Sequence, residues 1–418
     1  MSKKMLLPLI ALFLVQLACG GGPLRTATVI PPSVTAPLPS ATPTTDLARL
    51  WRLLLGGPKA DQGWGVDVDS AGNVYLASFE QKPSQWFTDM AIYKLTPDGE
   101  ELWRTEWGGA NQEKAFVVAV AEPVVYVGGL THTAIGLTEA DMAVLALEAD
   151  TGRVLWEFTW GQVLGGYEEV DGLVVDGDSI YISGWTTSAE TGYDIAVLKL
   201  DRAGHQVWEK VWGTAGFDTA DGQMVVTEDS LYVSGRVNGS NMFTGGQAVV
   251  ARFSKETGEY LQHATWGETG LADGLGMTSD GEALYVVGIH LKPGLGNQII
   301  LLKYDRDLDL LWERIWGDES GEHVGRAAGV DASGNVLLGV NSRATNNSPT
   351  DIFLLKYDPQ GQLLWESRWG GAEEDVVHGL VVAGDFVYLA GVIKFNGSNT
   401  SDSLLLKADS RSGAFPPP

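Results

Sequence analysis

The chain has 418 residues, 44% hydrophobic and 19% charged. That composition describes a folded body and excludes a wholly disordered one. A formal charge of −25 repels nucleic acid and anionic lipid surfaces, so neither is an expected partner. The single cysteine, Cys19, excludes an intramolecular disulfide.

Residues 1–18 carry Lys3 and Lys4, an apolar run from Met5 to Val15, and Ala18 just before Cys19. A basic start, a short apolar core and a small residue describe a secretory signal, too short to span a bilayer comfortably. A cysteine directly after such a core resembles the lipobox of bacterial lipoproteins, with Gln16 where Leu is usual. The resemblance implies that Cys19 is acylated and becomes the new N-terminus. Residues 19–46 are mostly Gly, Pro, Thr, Ser and Ala, a composition that cannot bury enough surface to fold and behaves as a tether. The folded body is expected over 47–409, with 410–418 as a disordered tail.

Within the body the pair Trp-Gly stands at 107, 160, 212, 266, 316 and 369, with steps of 53, 52, 54, 50 and 53 residues. Leu55-Gly56 precedes the first by one more step. A period this regular marks one supersecondary unit copied in tandem. The first copy shows four β-rich runs: Trp64–Asp69, Asn73–Ala77, Asp89–Leu95 and Glu101–Trp107, with turns at Ser70-Ala71-Gly72 and Thr96-Pro97-Asp98-Gly99. Short strands joined by Gly, Asp and Pro turns predict an antiparallel meander, and four strands per copy predict a propeller blade. The second run repeats as Val-Tyr-Val, Ile-Tyr-Ile or Leu-Tyr-Val, followed by Gly129, Gly184, Gly235, Gly288 and Gly391, where a missing side chain admits close backbones.

The fourth run pairs two tryptophans four residues apart, on one strand face, as at Trp103/Trp107. Twelve of the fifteen tryptophans occupy such positions; copy four has Gln262 in place of one. They read as wedges between blades, each worth on the order of 4–6 kcal/mol before entropy. Six complete copies end at 107, 160, 212, 266, 316 and 369, and a seventh lacks its fourth run. An orphan fourth run stands at Leu50–Leu55, with Trp51 five residues before Gly56 as Trp103 is before Gly108. The expected fold is therefore all-β: a seven-bladed propeller of four-stranded antiparallel blades whose N-terminal strand completes the last blade, removing two open edges.

The pattern Gly56-Gly57, Asp61, Val68-Asp69, Gly72-Asn73-Val74-Tyr75, Asp89, Lys94-Leu95 and Leu102-Trp103 resembles the SBBP beta-propeller repeats of bacterial secreted proteins over about residues 50–408. That resemblance implies the fold and no common activity. Ala146, Glu148, Thr151-Gly152 and Trp156 are similar in spacing to the docking motif of quinoprotein propellers, a blade-packing motif. Such enzymes have eight blades and adjacent cysteines, which this sequence lacks, and no cofactor is expected.

An acid recurs near the start of each copy: Asp61, Glu113, Glu168, Asp218, Asp273, Glu322 and Asp375. These predict a carboxylate ring on one rim, serving either a cationic ligand or divalent ion or the backbone N–H groups of its own turns. Lys94, Lys199, Arg252, Lys303, Lys356 and Lys407 close the third runs and are expected to pair with local acids on the opposite face. Aromatic residues in the variable loops between second and third runs, Trp86, Phe87, Trp185, Tyr193, Phe243 and Phe395, form a candidate ligand rim with His290, His323 and His378. The expected function is an extracytoplasmic, lipid-anchored binding or scaffolding module, monomeric, touching the membrane through its lipid alone and taking a glycan, peptide or protein partner. The alternative is a hydrolase or lyase acting on an extracellular polymer through rim carboxylates and histidine.

Overall fold

In the computed structural model, residues 47–418 are described apart from 84–85, 133–138, 163–165, 189–191, 242–243, 268–269 and 346–347. The leader, Cys19 and the tether lie outside them, as does Phe243.

Every copy folds as four antiparallel strands. In blade one the order from inside out is Asp61–Val68, Val74–Gln81, Thr88–Leu95 and Glu101–Trp107. The inner strand begins at Asp61, earlier than the sequence pattern marks it, because Gln62 and Gly63 pair with Phe79 and Ser78. The innermost strands of blades two to seven are Glu113–Ala121, Glu169–Asp176, the split pair Phe217–Thr219 and Met224–Val226, Leu271–Ser279, Glu322–Val330 and Glu374–Ala383. Each packs beside the next, and the last packs beside the first, so the seven inner strands ring a common axis. One parallel pair, Asn297 with Glu322, links blades five and six into a continuous sheet.

The ring closes as the orphan run predicts. Trp51–Leu55 pairs antiparallel with Ser401–Asp409, from Trp51 opposite Lys407 to Leu55 opposite Ser403. Blade seven is thus built from both ends of the body.

Middle strands are buried on both faces because neighbouring blades cover them; Thr88–Leu95 is buried throughout. Core clusters accordingly straddle blades, with Tyr75, Met90 and Ile92 of blade one against Val118, Val127 and Leu145 of blade two. Outer strands alternate, as Glu101–Trp107 does. The outer-strand tryptophans, two in most blades and one in blades four and seven, reach across to the next blade. The first donates its indole N–H to a turn carbonyl: Trp51 to Pro97 at 3.1 Å, Trp103 to Ala149 at 3.0 Å, Trp156 to Arg202 at 3.0 Å and Trp312 to Pro359 at 3.2 Å. Gln262 does the same with its amide, to Asp307 at 3.0 Å. The second tryptophan donates to a glutamate: Trp107 to Glu157, Trp160 to Glu209, Trp266 to Glu313 and Trp316 to Glu366.

The third-strand lysines share the turn carbonyls. Lys94 donates to Ala149 O, Lys303 to Pro359 O and Lys407 to Pro97 O. Their local acids lie within ion-pair reach, Asp69 at 3.7 Å from Lys94 and Asp331 at 2.7 Å from Lys356.

The last residues are not a disordered tail. Asp409 and Ala414 close a turn, Phe415 packs on the core of blades six and seven, and Pro416 accepts the Trp369 indole N–H at 3.0 Å. The cause lies in blade seven's outer strand, where Arg52 follows Trp51 and offers no acceptor in the place of the usual glutamate. The C-terminal backbone supplies one.

Candidate binding site

Six inner strands carry a one-residue register shift at the same level: between Gly63 and Gly65, Ala115 and Val117, Val170 and Gly172, Asp273 and Gly276, Gly325 and Ala327, and Val377 and Gly379. In blade four the strand is interrupted there instead. A bulge leaves one residue out of the ladder. It re-aims Trp64, Phe116, Asp171, Arg326 and His378 relative to a regular strand. Beside four of these bulges a second-strand glycine lies against the inner strand, while blades one and six have Ser78 and Val340 there. A Cβ on Gly129, Gly184, Gly288 or Gly391 would collide with the carbonyl oxygen of Lys114, Glu169, Asp273 or Val376.

At one mouth of the axis a cavity of ≈ 450 Å³ opens across blades one to three. Trp64, Phe79, Phe116, Trp86 and Tyr167 give it aromatic walls, and Gln62, Gln112, Lys114, Glu169 and Asp171 line it with polar groups. Trp64 is fixed by parallel stacking on His378, centroids 3.9 Å apart, and by the edge of Phe116 at 4.9 Å. Lys114 lies over the Phe79 ring at 5.3 Å. Trp86 is 91% exposed at the lip. Trp185 is buried, stacked on Tyr167 at 5.3 Å and packed on Tyr193 at 4.5 Å, and its indole N–H donates to Glu169 at 3.2 Å. It acts behind the cavity wall. Tyr193 in turn packs on Phe217.

Burial pushes the Glu169 carboxyl up to about 7; the Asp221 charge adds to this, while Lys114, Trp185 and Tyr167 oppose it. Asp171 is raised well above the carboxylate range by burial and by the Glu169, Asp221 and Asp273 charges, with Arg326 opposing. Burial lowers Lys114, and burial together with Arg326 and Lys394 keeps His378 neutral. Glu169 can therefore hold or release a proton near neutrality. The side chains around it supply both donors and acceptors.

The predicted ring needs two corrections. Asp61, Glu113, Glu168, Asp218 and Asp375 do occupy equivalent buried positions, but blade five has Ala272 there and blade six His323. Asp273 is one residue further along its strand and so faces the opposite way, toward Asp221, Arg236 and Arg326 at the axis. Glu322 precedes its ring position by one and pairs with Arg343. The five ring carboxylates accept local bonds: Asp61 from Gln81 N–H at 3.0 Å, Glu113 from Gly109 N–H at 3.1 Å, Glu168 from the Thr186 hydroxyl at 2.8 Å, Asp218 from Asn238 N–H at 2.9 Å and Asp375 from Gly371 N–H at 3.2 Å.

Each ring position meets a third-strand residue of the preceding blade. Asp89 meets Glu113, Asp141 meets Glu168 and Asp194 meets Asp218 around the glycines of the Trp-Gly pairs. Asp351 and Asp402 bear in the same way on Asp375 and Asp61. At the two remaining junctions the third-strand residue is Gln247 or Gln298, whose amide donates to the Gly267 or Gly317 carbonyl at 2.9 and 2.8 Å.

The candidate histidines have separate surroundings. His290 packs on Trp266; His323 bonds the Ser342 hydroxyl at 2.9 Å beside Asp318; His378 backs Trp64. Phe87 is half-buried, and Phe395 sits in a turn closed by Ser398 and Thr400; neither lines the cavity. Among the described residues no group of three or more His, Cys, Asp or Glu could hold a metal ion. Of the site residues not foreseen, Trp64, Phe116, Lys114, Glu169 and Asp171, only Trp64 was available by subtraction. The three tryptophans outside the repeat positions, Trp64, Trp86 and Trp185, all come to this one mouth.

A family model described as outer membrane protein assembly factor BamB matches residues 43–184 and 88–241. Over those residues, a little under half of the chain, the sequence is similar to that family's repeats. No curated protein matches the sequence. Among solved structures the chain is similar to quinohemoprotein alcohol dehydrogenase from Comamonas testosteroni, at 11% identity, TM-score 0.45, over 88% of this chain and 77% of that one. It is likewise similar to the beta-propeller domain of the Trilobed protease from Pyrococcus furiosus, at 11% identity, TM-score 0.47, over 84% and 97%.

Proposed function

We propose that this protein is an extracytoplasmic binding module of SBBP type, anchored to a bacterial membrane through acylated Cys19. The cavity at the axial mouth receives a glycan, peptide or protein partner. The anchor reading is supported by the basic start, apolar run and Ala18-Cys19 of the leader, and by the tether that follows. The binding reading is carried by one observation. Of the tryptophans that blade packing does not use, Trp64 and Trp86 line a single cavity with aromatic walls and convergent polar groups, and Trp185 backs its wall through Tyr167. A binding screen of glycans and peptides tests it. A ligand whose binding is lost on Trp64→Ala supports the reading, and binding indifferent to Trp64 and Trp86 refutes it.

A second reading, cleavage of an extracellular polymer, is favoured by the Glu169 carboxyl, which titrates near neutrality beside Asp171. Turnover of a bound ligand that stops in Glu169→Gln while binding persists would establish it. Binding without turnover would leave the binding module.

A further inference from the structure

Resting on the binding reading above, we propose that the axial cavity takes an uncharged carbohydrate, seated with a sugar ring against the aromatic wall. The aromatic faces of Trp64, Phe79 and Phe116 suit the C–H faces of a pyranose. The polar lining suits hydroxyls, which both donate and accept: Gln62 and Gln112 offer amides, Lys114 donates, and Glu169 and Asp171 accept. The charges argue against an ionic ligand. Lys114 stands near Glu169 within one cavity, so a ligand of either sign meets a like charge next to an unlike one. A neutral polyol meets no such conflict, and Trp86 at the lip is free to cover its outer end. The volume lies within the range of small-molecule sites.

The experiment is calorimetric titration of the purified protein with neutral gluco-, xylo- and chito-oligosaccharides, with uronic-acid oligosaccharides, and with Lys- and Glu-containing tripeptides. Saturable binding of a neutral oligosaccharide is expected, weakened at least tenfold by Trp64→Ala and several-fold by Trp86→Ala. Trp86 is exposed, so its variant folds whatever happens at Trp64. Binding of peptides or uronic acids alone, sensitive to the same variants, overturns the carbohydrate assignment and leaves the site standing. Absence of any ligand sensitive to either variant overturns both.

The blade junctions carry a second, independent inference. We infer that the Asp141–Glu168 junction holds one shared proton, so that an acid donor stands there where the Gln247 and Gln298 amides donate at two other junctions. A glutamine amide donates at any pH; an aspartate in the same place donates only as the acid. Where the third-strand residue is Gln, the opposing residue is Ala272 or His323 rather than an acid. Buried carboxylate oxygens without a hydrogen-bond partner recur at these junctions, on Asp89, Glu168, Asp351 and Asp375. Basic groups attend some of them: Lys82 at Asp89, Arg368 and Arg52 at Asp351 and Asp375, and Arg104 at Asp61, while Glu373 adds negative charge beside Asp375. Thr214 and Asn238 donate to Asp218. Asp141 and Glu168 are faced by Glu139, the Thr186 hydroxyl and the Thr187 N–H.

Burial, reinforced by Asp141, raises Glu168 to about 7, above its unfolded value. The folded state then binds the extra proton as pH falls from about 8 toward 5, and stability rises over that window. Melting curves of the wild type and Asp141→Asn at pH 8 and pH 6 test this. The amide supplies the donor without a proton. Its melting temperature is therefore expected to exceed the wild type's at pH 8, and the two are expected to converge at pH 6. A lower melting temperature for Asp141→Asn at pH 8, or an unchanged gap between the two pH values, overturns the inference.

Discussion

Trp185 and Glu169 make the smallest unit on which the site depends. The indole N–H bond helps hold the glutamate's charged form, and removing it should move Glu169 upward. Trp185→Phe keeps most of the packing on Tyr167 and Tyr193 and deletes the donor. The Glu169 titration, followed by carbon NMR of the carboxyl, is expected to shift to higher pH in that variant. An unchanged midpoint would mean that the indole bond does not contribute to it. Trp185→Ala would confuse the question, because emptying a buried tryptophan site costs about 3–5 kcal/mol. At this scale the sequence was legible only in part. The alternation of a strand told which residues share a face, but the bulge resets that alternation at the level where the axis is lined. Copies five and six also put Leu271 and Glu322 at the start of the inner strand. Asp273 and Glu322 therefore looked like ring members while Ala272 and His323 held the place.

The blade is the next unit, and its energetics rest on what passes to its neighbour. Trp51, Trp103, Trp156 and Trp312 each combine apolar burial with one bond to the next turn, Trp208 keeps the burial without the bond, and Gln262 preserves the bond without the ring. Trp103→Phe should lose the bond to Ala149 and cost about 1 kcal/mol in urea unfolding, with more if the carbonyl finds no substitute for the indole. Lys94 already donates to that carbonyl, which bounds the loss. Gly129→Ala should cost more, at least about 2 kcal/mol, because the new methyl meets the Lys114 carbonyl and the inner strand must shift at its bulge. That strand also carries Phe116, so the same variant should weaken ligand binding. A Gly129→Ala protein with wild-type stability would contradict the close approach. These interblade contacts were readable from the period of Trp and Gly, since a residue repeated in every copy serves the repeat.

For the whole molecule the decisive contact is the pairing of Trp51–Leu55 with Ser401–Asp409. Deleting 46–55 exposes the edge of the Ser401–Asp409 strand and leaves Lys407 without its Trp51 neighbour. The expected outcome is loss of the cooperative melting transition and aggregation on size-exclusion chromatography. A monodisperse protein melting as before would refute the role of closure. Seven copies and the orphan fourth run made this architecture legible in the sequence. The C-terminal residues were not legible in the same way. Their docking answers a local need, the acceptor that Arg52 cannot offer to Trp369, and nothing in their own composition announces it.

Joining the first strand of the body to its last also fixes an order of events. The five residues from Trp51 to Leu55 are made early, yet they have no partner until Ser401–Asp409 has been synthesised. Until then six blades can assemble while the seventh stays unfinished and one strand waits unpaired. A chain stalled before residue 401 is left with that exposed strand, a natural handle for proteolysis, so the cell can recognise an incomplete copy by the edge it never covered.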